Sequence, residues 1–471
     1  MRPRCSGYLP NRLAELWAAL CWLICLAGTI GSWPNSAAAG DLRLAVFQAD
    51  VSPPVGSPLA YDPTIAIQMP LSCRGVVLLG AGQPIVLCSI DWIGVANEGH
   101  RIFRTELAQA AGTTVDRVAL HAVHQHDAPT CDFSVEQLLA QAGATAVSYD
   151  GVFDRQAIQQ VAAAVRESLD KAVEVTHVGV GRGLVSEVAS NRRVLGPDGK
   201  VLHVRWSATA DAAVRAYPAG IIDPWVRAVS FWNQDQPVAV LTYYATHPQS
   251  YYRTGKANPD FPGMARNQRQ SATGVFHVHF NGAGGNITAG KYNDGSTTNR
   301  QVLADKLAAG MQQAWDSTER RALSAEQVNW QVARTTLPAA PHLDAQSLEA
   351  RVADKQLPMV QREAAASDLV WLRRCQAGDP HEVSCLKLGD VTILNMPGEL
   401  FVEYQLAAQR MRPDRFVAMA SYGDYGPGYI GTEIAYTQGG YETTPPASRV
   451  GPGSERQLIT AIAELLGDRP R

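Results

Sequence analysis

Residues 118–129 read Val-Ala-Leu-His-Ala-Val-His-Gln-His-Asp-Ala-Pro, an apolar, strand-like run that leads into a histidine-rich loop. Three of the 11 histidines, His121, His124 and His126, lie within six residues. On a strand, His124 and His126 would project from the same side, and two imidazoles at the end of a strand are a good start to a metal site. The alternative is a pair of hydrogen-bonded loop histidines, and His121 fits a buried core position equally well.

Outward from this stretch, short β-like runs alternate with longer helical ones, a pattern that predicts an α/β fold. The predicted strands are 42–49, 75–79, 84–90, 118–123, 173–180, 228–232, 239–245, 275–280, 328–335 and 392–396. The predicted helices are 98–111, 153–172, 299–317, 367–375, 398–411 and 454–466. The polar stretch 195–200 is typical of a surface hairpin. Since no repeat or low-complexity linker divides the chain, we expect one large mixed-sheet domain over residues 40–471.

The composition is that of a globular protein. Of 471 residues, 46% are hydrophobic and 18% are charged, which excludes a mainly disordered chain. The 41 Lys+Arg against 44 Asp+Glu give a net charge of −3. This balance argues against a nucleic-acid partner bound through phosphate neutralisation. The sequence leaves the oligomeric state unknown.

The first 39 residues have the layout of a secretory signal peptide. Arg2, Arg4 and Arg12 precede or open an apolar stretch over residues 13–33, and three alanines end at Ala39. We therefore expect cleavage near Ala39 and export to the periplasm or the medium, with no stable membrane span in the mature chain. The alternative is an uncleaved membrane anchor.

Five cysteines follow residue 39, and none has the CxxC spacing of a cysteine metal site. An exported chain can hold up to two disulfides with this number. Cys375 with Cys385, and Cys73 with Cys88, are the pairs that the sequence suggests.

Four further motifs follow predicted strands. An apolar strand ends at His247, where the next residue, a proline, stops the ladder; this histidine is a ligand or a turn residue. Glu399 follows Pro-Gly near a predicted helix start, so it is a ligand or a capping residue. The glycine-rich segment 282–290 lets backbone amides approach a ligand but lacks a P-loop lysine. Tyr425 and Tyr429 lie on a loop too rich in glycine to be core.

Taken in order, these motifs resemble those of the neutral/alkaline ceramidase family, the zinc-dependent, non-lysosomal amidases. Residues 49–54, Ala-Asp-Val-Ser-Pro-Pro, are similar to that family's opening Asp-Ile-Thr-Pro. Residues 124–129 are similar to its His-Thr-His-Ser-Gly/Ala-Pro, and 246–248 and 397–399 follow in the family's order. The resemblance covers nearly the whole mature chain, through motifs that are individually short.

The resemblance implies an α/β catalytic domain with one Zn²⁺ per chain, without the family's C-terminal immunoglobulin-like domain. The implied zinc ligands are His124, His247, Glu399 and Tyr429, with Tyr425 as the alternative tyrosine. His126 would contact substrate or handle a proton, and Arg192 would bind an oxyanion or a hydroxyl. Thr288 stands where the family has its active-site serine, and Asp127 where it has another serine.

The implied activity is hydrolysis of an N-acyl amide, in a ceramide-like lipid or another small N-acyl substrate, by water that the metal activates. Two alternatives remain. One is an exported metallohydrolase that acts on an ester or an N-acylated carbohydrate. The other is a non-catalytic ligand-binding protein that keeps the ceramidase fold.

Overall fold

Strands and helices alternate along residues 41–467, the part of the chain that the computed structural model describes. The predicted signal peptide, residues 1–39, lies outside the described residues. The strands are β1 (Arg43–Asp50), β2 (Ala66–Ile67), β3 (Ser72–Gly80), β4 (Gly82–Ile90), β5 (Gly94–Val95), β6 (Val118–Ala122), β7 (Thr130–Cys131), β8 (Val173–Glu174), β9 (His177–Leu184), β10 (Ser190–Asn191), β11 (Arg193–Leu195), β12 (Val201–Val204), β13 (Trp225–Asn233), β14 (Gln236–Tyr244), β15 (Lys256–Ala257), β16 (Phe276–Asn281), β17 (Ile287–Thr288), β18 (Glu319–Ala322), β19 (Val328–Thr335), β20 (His381–Leu388), β21 (Val391–Asn395), β22 (Glu399–Leu400), β23 (Phe416–Ala420) and β24 (Tyr429–Ile430). The helices are α1 (Asn97–Ala111), α2 (Phe133–Gln141), α3 (Gly151–Ser168), α4 (Ala212–Ala216), α5 (Asp260–Thr273), α6 (Thr298–Asp316), α7 (Ala345–Ala353), α8 (Met359–Gln376), α9 (Val402–Met411), α10 (Glu433–Gln438) and α11 (Ser454–Leu466).

The predicted α/β alternation is confirmed, and β19 and α11 have the predicted bounds. The predicted strand 173–180 is two strands, because β8 pairs with β1 in one sheet and β9 pairs with β13 in another. The chain crosses between the two sheets at this point. The predicted hairpin is the turn between β11 and β12. Helix α8 begins eight residues before the predicted start at residue 367, because buried charged residues in its first turns hide the apolar pattern.

The prediction of one helix over residues 398–411 is wrong at its start. Glu399 and Leu400 form β22, and α9 begins only at Val402. The backbone N–H of Glu399 donates to Gly428 O over 2.9 Å, and that of Phe401 donates to Ile430 O over 3.2 Å. Pairing with a distant segment therefore replaces the helical hydrogen bonds that the local sequence suggested.

Three larger sheets share one apolar core. Their orders are β6-β4-β3-β1-β8, β16-β14-β13-β9-β18 and β19-β20-β21-β23. Val76, Leu241 and Ile393 contribute one core residue from each sheet. Val77, the next residue of β3, points to the opposite face of its sheet. There it belongs to a second apolar cluster, which includes Phe103 of α1. Successive side chains of a strand point to opposite faces of the sheet. When both faces are covered, both sets of side chains are apolar, and the strand's sequence is a continuous apolar run, as in β3.

Each larger sheet ends in one parallel strand pair: β4–β6, β14–β16 and β21–β23. Strand β16 also contacts β6 and β23. The carboxyl ends of parallel strands lie at the same edge of a sheet. Thus the loops after β6, β14 and β21, which carry His124, His247 and Glu399, are brought to one end of the fold.

The described residues all belong to one compact unit. No helix among residues 41–467 is long and apolar enough to cross a membrane. Within the same residues, Cys73, Cys88, Cys131, Cys375 and Cys385 are all free thiols. Neither suggested disulfide is therefore present: the Cys375 thiol on α8 donates to Leu337 O instead.

Candidate metal centre

His124, His247 and Glu399 bring together three buried polar atoms that lack hydrogen-bond partners within residues 41–467. His124 Nε2 lies 3.2 Å from Glu399 Oε2, and His247 Nδ1 lies 3.5 Å from the same oxygen. Tetrahedral zinc ligands with bonds of about 2.0–2.1 Å lie about 3.3 Å apart. Burying such atoms unpaired is costly. The spacing and the missing partners both fit a cation held between these three side chains.

His126 offers a competing ligand set. Its Nε2 lies 2.8 Å from His247 Nε2, and ring nitrogens of His124, His126 and His247 lie within 4.8 Å of one another. This buried group of histidines could also hold a metal. Burial, and then the charge of His124, lower the pKa of both His126 and His247. Both rings are therefore neutral near pH 7, the form that binds metals.

The backbone turns sharply at His124. Strand β6 ends at Ala122, and His124 has a φ of +69°, which is uncommon for a residue other than glycine. The prediction that His124 and His126 share one face of a strand is therefore wrong, although their rings lie 5.1 Å apart. His124 Nδ1 donates to Ile93 O over 2.6 Å. This bond directs Nε2 toward the centre, as second hydrogen bonds of metal-binding histidines commonly do.

His121 takes no part in the centre. Its Nδ1 donates to Ser421 O over 2.8 Å, and the ring is buried. Burial lowers the pKa of His121 to about 4. Of the two interpretations that the sequence left open for His121, the satisfied core histidine is the one observed.

Both candidate tyrosines border the centre, by different contacts. In the parallel pair β22–β24, Tyr429 is the direct neighbour of Glu399. Tyr429 Oη accepts a hydrogen bond from Arg192 Nη1 over 3.0 Å, and its ring is parallel to that of His247 with centroids 6.3 Å apart. Tyr425 Oη donates to Glu399 Oε1 over 2.9 Å. Burial raises the pKa of both phenols above the usual range.

The expectation that the tyrosine loop lies outside the core is wrong for Tyr429. Tyr429 is buried within the core, whereas Tyr425 is half-buried. Gly428 has a φ of +65°, and a Cβ there would meet Ala447 O at 2.5 Å. Because Gly428 has no side chain, the loop can pack closely against the segment that contains Ala447, and Tyr429 is buried there.

Arg192 is fixed by an ion pair that sequence reasoning missed. Its Nε lies 3.0 Å from Glu442 Oε1, and Arg193 Nη1 lies 3.0 Å from Glu442 Oε2. Burial lowers the pKa of Arg192, but its interactions with Tyr429 and with the Glu442 carboxylate raise it by more, so the guanidinium stays charged. Glu442 lies in the 3-10 turn Tyr441–Thr443 within a polar stretch, and no local motif marks it.

Thr288 lies on a strand that pairs with the two residues just before Arg192. Strand β17 pairs with β10, so that Thr288 is opposite Ser190. Ser190 Oγ donates to Thr288 O over 2.9 Å, and the buried Thr288 Oγ1 has no hydrogen-bond partner among the described residues. The structure thus joins Thr288 to Arg192 through this strand pair, and shows no hydrogen bond from its hydroxyl to the three clustered ligand atoms.

Asp127, the other departure from the family pattern, is hydrogen-bonded to Thr254. Its carboxylate accepts hydrogen bonds from the backbone N–H and the hydroxyl of Thr254. Its function in the structure is to tie the histidine loop to the segment before β15.

Aromatic side chains surround the centre on its solvent side. Tyr61 Oη lies 2.8 Å from His126 Nδ1, and the two rings are stacked with centroids 5.7 Å apart. Tyr252 packs edge-on against Tyr61 at 5.1 Å. On the Arg192 side, the ring of Trp206 lies beneath the guanidinium. Sequence reasoning found none of these three residues, because no local motif marks them.

No protein-family model matches the chain, and no curated protein matches it by sequence. Among solved structures, it is similar to one described as a ceramidase complexed with C2, with a TM-score of 0.65 and 15% sequence identity over 90% of this chain and 75% of that chain. It is also similar to neutral ceramidase from Pseudomonas aeruginosa, with a TM-score of 0.64 and 14% identity over 92% of this chain and 75% of that chain. The chain therefore has the α/β fold of these two structures, as the sequence predicted.

Proposed function

We propose that this chain is an exported, zinc-dependent hydrolase of N-acyl amides, with a ceramide-like lipid or another N-acyl compound as substrate. The observation that carries the proposal is the convergence of His124 Nε2, His247 Nδ1 and Glu399 Oε2, three buried atoms without hydrogen-bond partners in the described part of the chain. Two imidazoles with a carboxylate suit zinc. The shared fold with two ceramidase structures supports the bond type and the substrate class.

In this proposal His124, His247 and Glu399 hold the metal, and Tyr429, the strand neighbour of Glu399, completes the set. A bound zinc ion would supply Lewis acidity and lower the pKa of a water molecule toward neutrality. The neutral state of His247, which follows from its burial, keeps a lone pair available on the ring. Tyr425 donates to the second oxygen of Glu399 and so orients that carboxylate.

Arg192 supplies a permanent positive charge at the edge of the centre. It donates to Tyr429 Oη, and Glu442 holds it from the other side. A guanidinium fixed in this way stabilises negative charge that develops on a substrate oxygen, without reorganising during the reaction. The free hydroxyl of Thr288, on the strand pair next to Arg192, is proposed to orient the substrate.

His126 is proposed to handle a proton between the centre and solvent. If His247 binds the metal through Nδ1, its other nitrogen carries a proton, and this Nε2–H donates to His126 Nε2. His126 then carries its proton on Nδ1 and donates it to Tyr61 Oη. This order assigns one tautomer to each ring. Because the Tyr61 side chain is partly exposed, the chain of three groups extends from the buried metal ligands to the surface.

Metal content and turnover test the proposal together. Elemental mass spectrometry of the mature protein is expected to find about one zinc per chain, and His124→Ala is expected to lose both zinc and hydrolysis of N-acyl amides. A panel of N-acyl amide and ester substrates identifies the bond that is cleaved. A wild-type protein that takes up no zinc, or a His124→Ala variant with full zinc and turnover, would overturn the proposal.

A further inference from the structure

We propose that the apolar surface beside His126 docks onto a phospholipid bilayer; this inference rests on the proposed lipid N-acyl substrate. Six large apolar or aromatic side chains form this docking surface, each 37 to 70% exposed. They are Val55, Tyr61, Ile65, Ile67, Trp206 and Tyr252. A contiguous exposed patch of this kind marks an interaction site, whereas single exposed apolar residues need no explanation.

The first half of the docking surface is one continuous piece of structure. The backbone N–H of Ile65 donates to Gly255 O over 2.7 Å, and β2, which contains Ile67, pairs in parallel with β15. Tyr61 and Tyr252 contact each other across the same two segments, with ring centroids 5.1 Å apart. The loop before β2 and the loop before β15 therefore present their apolar side chains together.

Trp206 adjoins a second contact of His126. Its neighbour Ser207 donates to Gln249 Oε1, and Gln249 Nε2 lies 3.3 Å from His126 Nδ1. Tyr61 Oη approaches the same nitrogen, so the segments that carry Tyr61 and Trp206 meet at this ring.

The composition favours a lipid surface over a protein partner. Tyrosine and tryptophan combine an apolar body with a polar tip and settle where a membrane meets water. Val55 and Ile65 can insert without leaving a polar group unpaired. Arg253 is paired with Asp62, at 3.4 Å, and the six apolar side chains outnumber the exposed Lys256 of β15. Apolar insertion, rather than attraction to anionic headgroups, is therefore expected to drive binding, with little dependence on salt.

Sedimentation with phosphatidylcholine vesicles tests the inference. The wild-type mature protein is expected to bind, and Ile65→Asp is expected to bind at least about 10-fold more weakly, because a carboxylate opposes insertion. The matched control is Val360→Asp, which changes a 63% exposed valine on α8, outside the docking surface, and is expected to bind like the wild type. Equal binding by both variants, or no binding by the wild type, would overturn the inference.

A second readout follows Trp206 directly. Vesicles with brominated acyl chains are expected to quench part of the tryptophan fluorescence of the wild type, and Trp206→Phe is expected to lose that part. Quenching that survives in Trp206→Phe would contradict the proposed orientation. So would self-association through this surface in the absence of vesicle binding.

The test is independent of catalysis. Vesicle binding by His124→Ala is expected to match that of the wild type, since the docking surface does not include the metal ligands. Failure of the proposed function would appear as missing zinc or missing turnover with vesicle binding intact. Failure of this inference would appear as missing vesicle binding in a protein that holds zinc.

Discussion

Glu399 and Tyr429 are paired residues of a two-stranded parallel sheet, although 30 positions separate them in the sequence. One carboxylate oxygen of Glu399 accepts a hydrogen bond from Tyr425, while the other faces His124 and His247. This arrangement gives the two tyrosines different roles. Tyr425 orients the carboxylate from outside, and Tyr429 lies beside the proposed metal position with its hydroxyl held by Arg192.

Phenylalanine substitutions separate those roles. Tyr425→Phe removes a hydrogen bond to a ligand, which is expected to weaken zinc binding roughly 10- to 100-fold. Tyr429→Phe removes a proposed ligand and is expected to weaken zinc binding by more. Zinc dissociation constants from competition with a chelator measure both. If Tyr425→Phe lost more zinc affinity than Tyr429→Phe, Tyr425 would be the ligand and Tyr429 the residue that supports it.

The two possible ligand sets make opposite predictions for His126. With His124, His247 and Glu399 as ligands, His126→Ala is expected to keep zinc and to lose roughly 10²- to 10⁴-fold in kcat, the range for a lost proton-transfer group. His247→Ala is expected to lose the metal. Parallel measurement of zinc content and kcat decides the matter. Loss of zinc in His126→Ala would instead support the three-histidine set.

Glu442 is expected to act as a positioning residue for Arg192. Glu442→Gln leaves two buried arginines without their counter-charge, and breaking a buried ion pair typically costs about 3–5 kcal/mol of stability. At temperatures where the variant stays folded, kcat is expected to fall at least about 10-fold with zinc content unchanged. Denaturant unfolding, zinc analysis and kinetics provide the readouts.

The control for that variant is Glu433→Gln, an exposed glutamate on α10. It removes the same charge without touching either arginine, so its kcat and stability are expected to match the wild type. A Glu442→Gln protein with wild-type kcat would show that Glu442 contributes only to folding.

Thr288→Ala tests whether the free hydroxyl contributes to turnover. The variant is expected to keep its zinc, since the Thr288 hydroxyl bonds to none of the clustered ligand atoms, and to lose activity because the substrate is oriented less well. Thr288→Ser keeps a hydroxyl and is expected to retain activity. Unchanged turnover in Thr288→Ala would remove this residue from the proposed mechanism.

Asp132 is expected to make stability fall as the pH rises from about 4 to about 7. Burial raises the pKa of Asp132 to about 7, despite hydrogen bonds from Asn97, Val135 and Ser134 that oppose the shift. In this pH range the unfolded chain has already released the proton that the folded chain retains, so deprotonation favours unfolding.

Asp132→Asn cannot titrate and provides the reference. The free energy of unfolding of the wild type, minus that of Asp132→Asn, is expected to decrease by at least about 1 kcal/mol between pH 4 and pH 7. Urea unfolding at several pH values measures this difference. A difference that stays constant over the range would contradict the prediction.

Local sequence was sufficient for most of the elements and for the order of the motifs. The spacing of apolar residues along a strand or a helix is a short-range signal, and it was enough to predict the bounds of β19 and α11. Predictions from this spacing were wrong where a distant segment determined the backbone conformation. Glu399 is not in the predicted helix because it pairs with the segment that contains Gly428 and Tyr429. His124, just after the predicted strand, has a left-handed backbone instead of the extended one that would place it on the same side as His126.

The sequence by itself determined the α/β class and the candidate residues His124, His247, Glu399 and Arg192, since motif order and residue chemistry are properties of the chain. Only the tertiary structure decided which atoms meet: that His124 Nε2 and His247 Nδ1 face one oxygen of Glu399, that Glu442 holds Arg192, and that aromatic residues from separate loops surround the centre. The physical reason is that three sheets end in parallel strand pairs, and these bring distant loops to one point.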